Sequence, residues 1–192
     1  MARVVDWVSG AYQDIQNKRT SWRFLKNDFS FQTIAGTQNY TPAAVSLPEH
    51  ASWVKEDIRI YKSAEDETFL QYLPWAVFRE AYLFGVHRTA QGRPTVVSVT
   101  PHNALAFSQL PDDAYTVTGE YYKRAQTMTA NADTPLFPDR FHMIIVWRAL
   151  MFYGAYAAAD EKYAHGQNEF KTMLPALELD QLEDFTYGAP LA

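Results

Sequence analysis

Cysteine is absent from this 192-residue chain, which excludes disulfide frameworks, thiolate metal sites, iron–sulfur clusters and a thiol nucleophile at once. Glycine is scarce as well. None of the eight stands in a Gly-x-Gly-x-x-Gly or Gly-x-x-x-x-Gly-Lys arrangement, so no loop is built to cradle phosphates. There is no Gly-x-Ser-x-Gly elbow for a nucleophilic serine either. Long apolar runs are also missing. Residues 141–159 come nearest, but His142 and Arg148 interrupt them, which suits a helix packed in protein rather than a membrane span. Arg3 is followed by Asp6 rather than by an apolar stretch, so no secretory leader is expected and the chain should remain in the cytoplasm where it is made. Nor is there an excess of positive charge. The net charge of −5 gives no overall attraction for nucleic acid.

What is present describes a folded protein. An apolar fraction of 47% with 20% charged residues is far from the composition of disorder, and the length suits one domain or one body with an insertion. Aromatic residues reach 15%, and Tyr and Trp combine large contact area with a polar handle, a composition that favours an assembling protein.

Val4, Trp7, Val8, Ala11, Tyr12 and Ile15 recur at the spacing of one helix face, predicting a helix over 4–16. Phe29 and Phe31 alternate with polar residues, and the Gly36 turn before Tyr40 predicts a β-hairpin over 28–43. Further strands are expected at 57–61, 95–99, 104–107 and 115–122, with a short helix at about 73–86 opened by Pro74. After Pro138 a helical stripe runs from Phe141 to about His165, where Gly166 offers a stop, and a second helix covers 167–177. The expected fold class is α+β. N- and C-terminal helices (1–27 and 134–177) form a helical body, 28–133 is a mostly antiparallel β-rich insertion, and 178–192 is an extended C-terminal tail.

Chemistry-bearing residues do not converge. The five histidines are scattered at 50, 87, 102, 142 and 165 without metal-ligand spacing. Glu161 with His165, and Asp139 with His142, read as polar pairs on helix faces. No catalytic residue, metal site or cofactor is expected. Arg148 lies within an apolar helix and needs a partner, such as Asp14 of the first helix, which makes it a candidate structural ion pair. Residues 1–27 carry a net +3, with Lys18, Arg19, Arg23 and Lys26 interleaved with Trp22 and Phe24 as candidate channel or partner contacts. Residues 175–192 carry a net −4 from Glu178, Asp180, Glu183 and Asp184, so the two ends can meet complementary partners or each other.

Several ordered patterns resemble the head–tail adaptor family of tailed phages, the group that includes the podovirus tail tubular A proteins and the packaged-DNA stabilisation proteins. They are Trp7-x-x-x-Ala11-Tyr12-x-Asp14-Ile15-Gln16, then Trp22-Arg23-Phe24-Leu25, then Phe31-x-Thr33-x-x-Gly36-x-x-x-Tyr40. Pro138-x-x-Phe141-His142-x-x-Ile145-x-x-x-Ala149-Leu150 follows, with Ala155, Tyr156, Glu161-x-Tyr163 and Glu169-Phe170-x-x-Met173-Leu174 after it. The resemblance covers roughly 7–40 and 138–177. It implies a non-enzymatic virion protein of the neck, a ring of about twelve copies seated below the portal. That ring would extend the DNA channel, let DNA pass without specific contact, and dock the tail or nozzle; the alternative readings are a small α+β ligand-binding protein or enzyme and another phage neck or tail-completion protein. It further implies that the C-terminal tail reaches the portal, with Glu178, Asp180, Glu183, Asp184, Phe185 and Tyr187 as candidate portal-binding residues.

Overall fold

Four helices and nine strands carry the described residues, 2–130 and 132–182, of the structure, a computed structural model. The chain divides into two compact units, one formed by 1–25 with 125–192 and the other by 26–124.

In the first unit, α1 (Ala2–Asn17) carries the expected apolar stripe, but only its C-terminal half enters a core. Ala11, Tyr12 and Ile15 are fully buried, whereas Val4 is 57% and Val5 47% exposed. α1 packs on α3 (Met143–Ala157), where Gly10 brings the Phe152 ring close. α3 is paired in turn with α4 (Asp160–Gln181). The expectation of one helix running to a stop at Gly166 is corrected. The break comes at Ala158, in a left-handed conformation (φ 49°), and Gly166 lies inside α4. The glycines inside α3 and α4 both serve close packing. A Cβ on Gly154 would stand 2.7 Å from the Tyr163 backbone nitrogen, and one on Gly166 would stand 2.8 Å from the Trp147 carbonyl oxygen. The helix also continues past 177 to Gln181, so residues 178–181 are helical rather than part of an extended tail.

The segment 125–133, expected within the insertion, belongs with α1. Gln16 is buried and ties it there: its Nε2 donates to the Gln126 carbonyl at 3.0 Å, and the Gln126 N–H donates back to Gln16 Oε1 at 2.9 Å. Tyr12 Oη donates to Gln126 Oε1 and accepts from the Leu136 N–H, both at 2.8 Å. A buried side chain that satisfies a loop's backbone in this way removes the desolvation cost the loop would otherwise carry. Phe137 is buried beside the Tyr12 and Phe24 rings.

The second unit is a pair of sheets. In the first, β1 (Lys26–Gln32) pairs antiparallel with β9 (Thr116–Lys123). β9 also pairs with β3 (His50–Trp53) and β4 (Arg59–Tyr61), and β5 (Thr68–Phe69) pairs with β4. The second sheet runs β2 (Asn39–Tyr40), β8 (Leu105–Phe107), β7 (Val96–Val99), β6 (Gln71–Tyr72), with only β6–β7 parallel. Phe29, Trp53, Ile60, Val97, Leu105, Phe107 and Val117 belong to one core cluster drawn from both sheets. The expected 28–43 hairpin is therefore corrected, since β1 and β2 lie in different sheets. Their local signal was real, because Phe31 and Tyr40 rings sit 5.0 Å apart and Tyr40 Oη accepts from the Ile34 N–H. The short helix is α2 (Trp75–Tyr82), with Phe78 buried on Val96 and Ala106, and a 3₁₀ segment Gly85–Thr89 follows it.

Candidate assembly surface

The charged candidates of the helical unit are largely engaged with one another. Arg148 Nε donates to Asp14 Oδ2 at 2.8 Å, and its guanidinium lies 4.8 Å from the Phe152 ring centroid and 5.8 Å from that of Phe170. Lys18 stands 4.0 Å from Asp14 and 5.5 Å from the Phe170 ring. Arg19 pairs with Glu178 at 2.9 Å, and Arg140 pairs with Asp180. The basic and acidic ends thus meet within this unit. In the β unit, Lys26 pairs with Glu120 at 2.7 Å. Arg23 is exposed. Glu183, Asp184, Phe185 and Tyr187 lie outside the described residues.

Among the described residues the histidines stand apart from one another. His165 lies edge-on to Trp147 at 5.3 Å, and His142 Nε2 is 3.0 Å from the Phe137 carbonyl oxygen. His50 is buried between Trp53 and Tyr121, and Asn103 Nδ2 donates to its Nδ1 at 3.2 Å. Burial, reinforced by the Arg124 charge, lowers its pKa from 6.5 to about 4. Between those values the unfolded chain binds a proton that the folded chain refuses. This contribution to stability is therefore present above pH 6.5 and is lost as the pH falls towards 4. The loss of melting temperature from pH 7 to pH 4 should be smaller in His50→Gln than in the natural chain. Equal pH slopes would refute the neutral, buried His50.

A surface cleft of about 470 Å³ lies on the first sheet and is lined by Asp28, Ser30, Asp57, Arg59, Thr118 and Glu120. Three of its charged side chains are engaged: Arg59 reaches Asp57 at 2.8 Å and Glu67 at 3.6 Å, and Glu120 holds Lys26. Among the described residues no group of three or more His, Asp or Glu side chains could hold a metal, and no helix is long and apolar enough to cross a membrane.

Apolar surface left uncovered is the more informative feature, because large exposed apolar patches mark places where another molecule binds. In the helical unit a groove of about 240 Å³ between α1 and α3 is lined by Val4, Trp7, Val8, Val146, Ala149, Leu150 and Tyr153. Val146 is 47% and Tyr153 42% exposed. Val4 and Val8 also wall an adjoining cleft with Val5, Met128, Thr129, Ala130 and Asp133. Asp133 accepts from the Thr129 and Ala130 N–H groups at 2.7 and 2.8 Å, which hold its carboxyl below the usual range. In the β unit the stretch after α2 is equally uncovered, with Phe84 at 73% and Val86 at 80% exposure. The groove was half legible in the α1 stripe. The Phe84–Val86 tip falls inside the helix expected over about 73–86, which ends at Tyr82, and its signal in the sequence is apolar residues on both sides of Gly85.

Comparison with known proteins bears on what such surfaces serve. A family model described as SU10 adaptor protein matches residues 1–192. No curated protein matches the chain.

Proposed function

Because the chain belongs to the SU10 adaptor protein family over its whole length, we propose that this bacteriophage adaptor is a structural, non-enzymatic component of the virion neck. It forms a closed ring of about a dozen copies beneath the portal, continues the DNA channel and docks the tail or nozzle. The family match across 1–192 carries the reading. The uncovered apolar groove on α1 and α3 supports it, since an assembling subunit needs surface that only a neighbour covers. The acidic balance, −5 for the chain, suits a ring that DNA must traverse without sticking. Lys18, Arg19 and Lys26 being paired with acids agrees with weak, non-specific contact to passing DNA.

The portal contact is assigned to 183–192, where Glu183, Asp184, Phe185 and Tyr187 combine charge with aromatic area. Glu178 and Asp180 have a different task, anchoring the end of α4 to Arg19 and Arg140. Native mass spectrometry of the full chain, alone and mixed with the portal of the same phage, tests the proposal. A portal-dependent assembly of about a dozen copies is expected, and a persistent monomer would overturn it. Deleting 183–192 should weaken portal binding and leave the melting temperature of the chain unchanged. Truncated chain that co-sediments with portals at full strength would remove the tail from the portal contact.

A further inference from the structure

We propose that neighbouring copies join by inserting the Phe84–Val86 tip of one β unit into the α1–α3 groove of the next copy's helical unit. This rests on the ring reading above and names the contact that would close the ring. A ring needs two different patches on each subunit, one complementary to the other, because the contact is head-to-tail. The chain carries two such patches, one on each unit.

The groove is concave and almost wholly aliphatic and aromatic along its floor, from Val4 and Trp7 of α1 to Val146 and Leu150 of α3. The tip is the converse. Phe84 and Val86 are the most exposed large apolar side chains of the β unit, at 73% and 80%, and they flank Gly85. Gly85 has a φ of +56°, and a Cβ placed on it would meet nothing within 4 Å. Glycine adopts this left-handed conformation without the steric cost a side chain would bring, so the turn between Phe84 and Val86 is built on it. A volume of about 240 Å³ accepts an aromatic anchor of this kind, and buried aromatic anchors dominate interface energies.

Charge follows the same complementarity. The tip continues into His87 and Arg88, both exposed. Arg88 Nε is engaged by the Leu83 carbonyl at 2.6 Å, and the guanidinium is otherwise unpaired among the described residues. Val4 and Val8, which line the groove, also border the cleft that holds the ionised Asp133. Arg3, the nearby cation, is turned onto the Tyr156 ring at 4.8 Å. An arginine arriving with the tip therefore meets an acid at the groove's edge, which selects one orientation of docking.

A chain without cysteine makes the test clean. Val86→Cys and Val146→Cys are each made in the full chain, mixed in equal amounts, assembled on the portal of the same phage, and oxidised. A disulfide dimer is expected from the mixture and from neither variant alone, because the contact sets residue 86 of one copy against residue 146 of the next and each variant supplies only one of the two cysteines. A complete ring that yields no mixed dimer, or a dimer from one variant alone, overturns this contact and leaves the ring reading standing. Absence of any ring overturns both. Phe84→Asp supplies a second measurement. Its side chain is mostly exposed, so the melting temperature of the free chain should hold. The concentration needed for half-assembly should rise about tenfold or more, as for loss of an interface anchor. An unchanged half-assembly concentration would rule the tip out.

Discussion

Gly154→Ala and Gly166→Ala should each destabilise the helical unit by about 1–3 kcal/mol, the usual cost of overpacking a core, although alanine is the better helix former by about 1 kcal/mol. The reason is what the new methyl group meets. At Gly154 it would stand 2.7 Å from the Tyr163 backbone nitrogen and 2.9 Å from its Cα, at Gly166 2.8 Å from the Trp147 carbonyl oxygen. Backbone atoms cannot step aside as the end of a side chain does, so α3 and α4 must separate. That separation loosens contacts along both helices. Gly10→Ala is the control within the same unit. Its methyl group would meet Phe152 Cε2 at 3.7 Å, an ordinary contact, so the helix preference acts unopposed and the variant should be stabilised by up to about 1 kcal/mol. Thermal or denaturant unfolding of the three variants decides the matter. Destabilisation by Gly10→Ala equal to that at the other two positions would mean that close packing is not what selects glycine there.

The same three glycines mark where sequence reasoning stops. Periodicity is a local signal, and it located α1, α2, the strands β1, β2, β4, β7, β8 and β9 and the existence of helices after Pro138, whereas the short strands β3, β5 and β6 are too brief to show a period. A glycine near the end of a stripe reads as a stop by the same local logic, yet Gly166 is internal because Trp147, nineteen positions earlier in the chain, needs its space. Pairing is non-local in the same way. Lys26 faces Tyr122 across the β1–β9 ladder, and nothing around residue 26 announces that partner. The hairpin expected over 28–43 failed for that reason, although its aromatic residues do touch. The α1 stripe was correct in spacing but silent about cover. A helix face that is half core and half open looks uniform in sequence, and the exposure of Val4 emerges only once α3 is in place.

Charge was more legible, because a charged group in apolar surroundings must be answered. Arg148 interrupts the apolar stripe of α3, and Asp14 lies on α1, the helix against which α3 packs. The opposite charges of the two chain ends likewise resolve into Arg19 with Glu178. What sequence could not supply was which acids remain for a partner. Glu178 and Asp180 are paired within the chain with Arg19 and Arg140.

Arg148→Ala should destabilise the helical unit by about 2–3 kcal/mol, at or below the lower edge of the range for breaking a fully buried pair. Two losses combine. Asp14 keeps water and Lys18, at 4.0 Å, since its side chain is 35% exposed, so the electrostatic part is moderated by solvent. The guanidinium also fills the space between Phe152 and Phe170, on α3 and α4, and truncation empties it. Arg148→Met, which restores the stem but not the charge, should recover part of the stability. Asp14→Asn alone should cost less than Arg148→Ala, because it leaves those ring contacts in place. A double-mutant cycle between Asp14→Asn and Arg148→Met then isolates the pair, with an expected coupling of about 0.5–1.5 kcal/mol. If Arg148→Ala melts with the natural chain, neither the pair nor the cation–ring contacts hold α1, α3 and α4 together. If the cycle shows no coupling while Arg148→Ala is still destabilised, the aromatic packing alone is responsible.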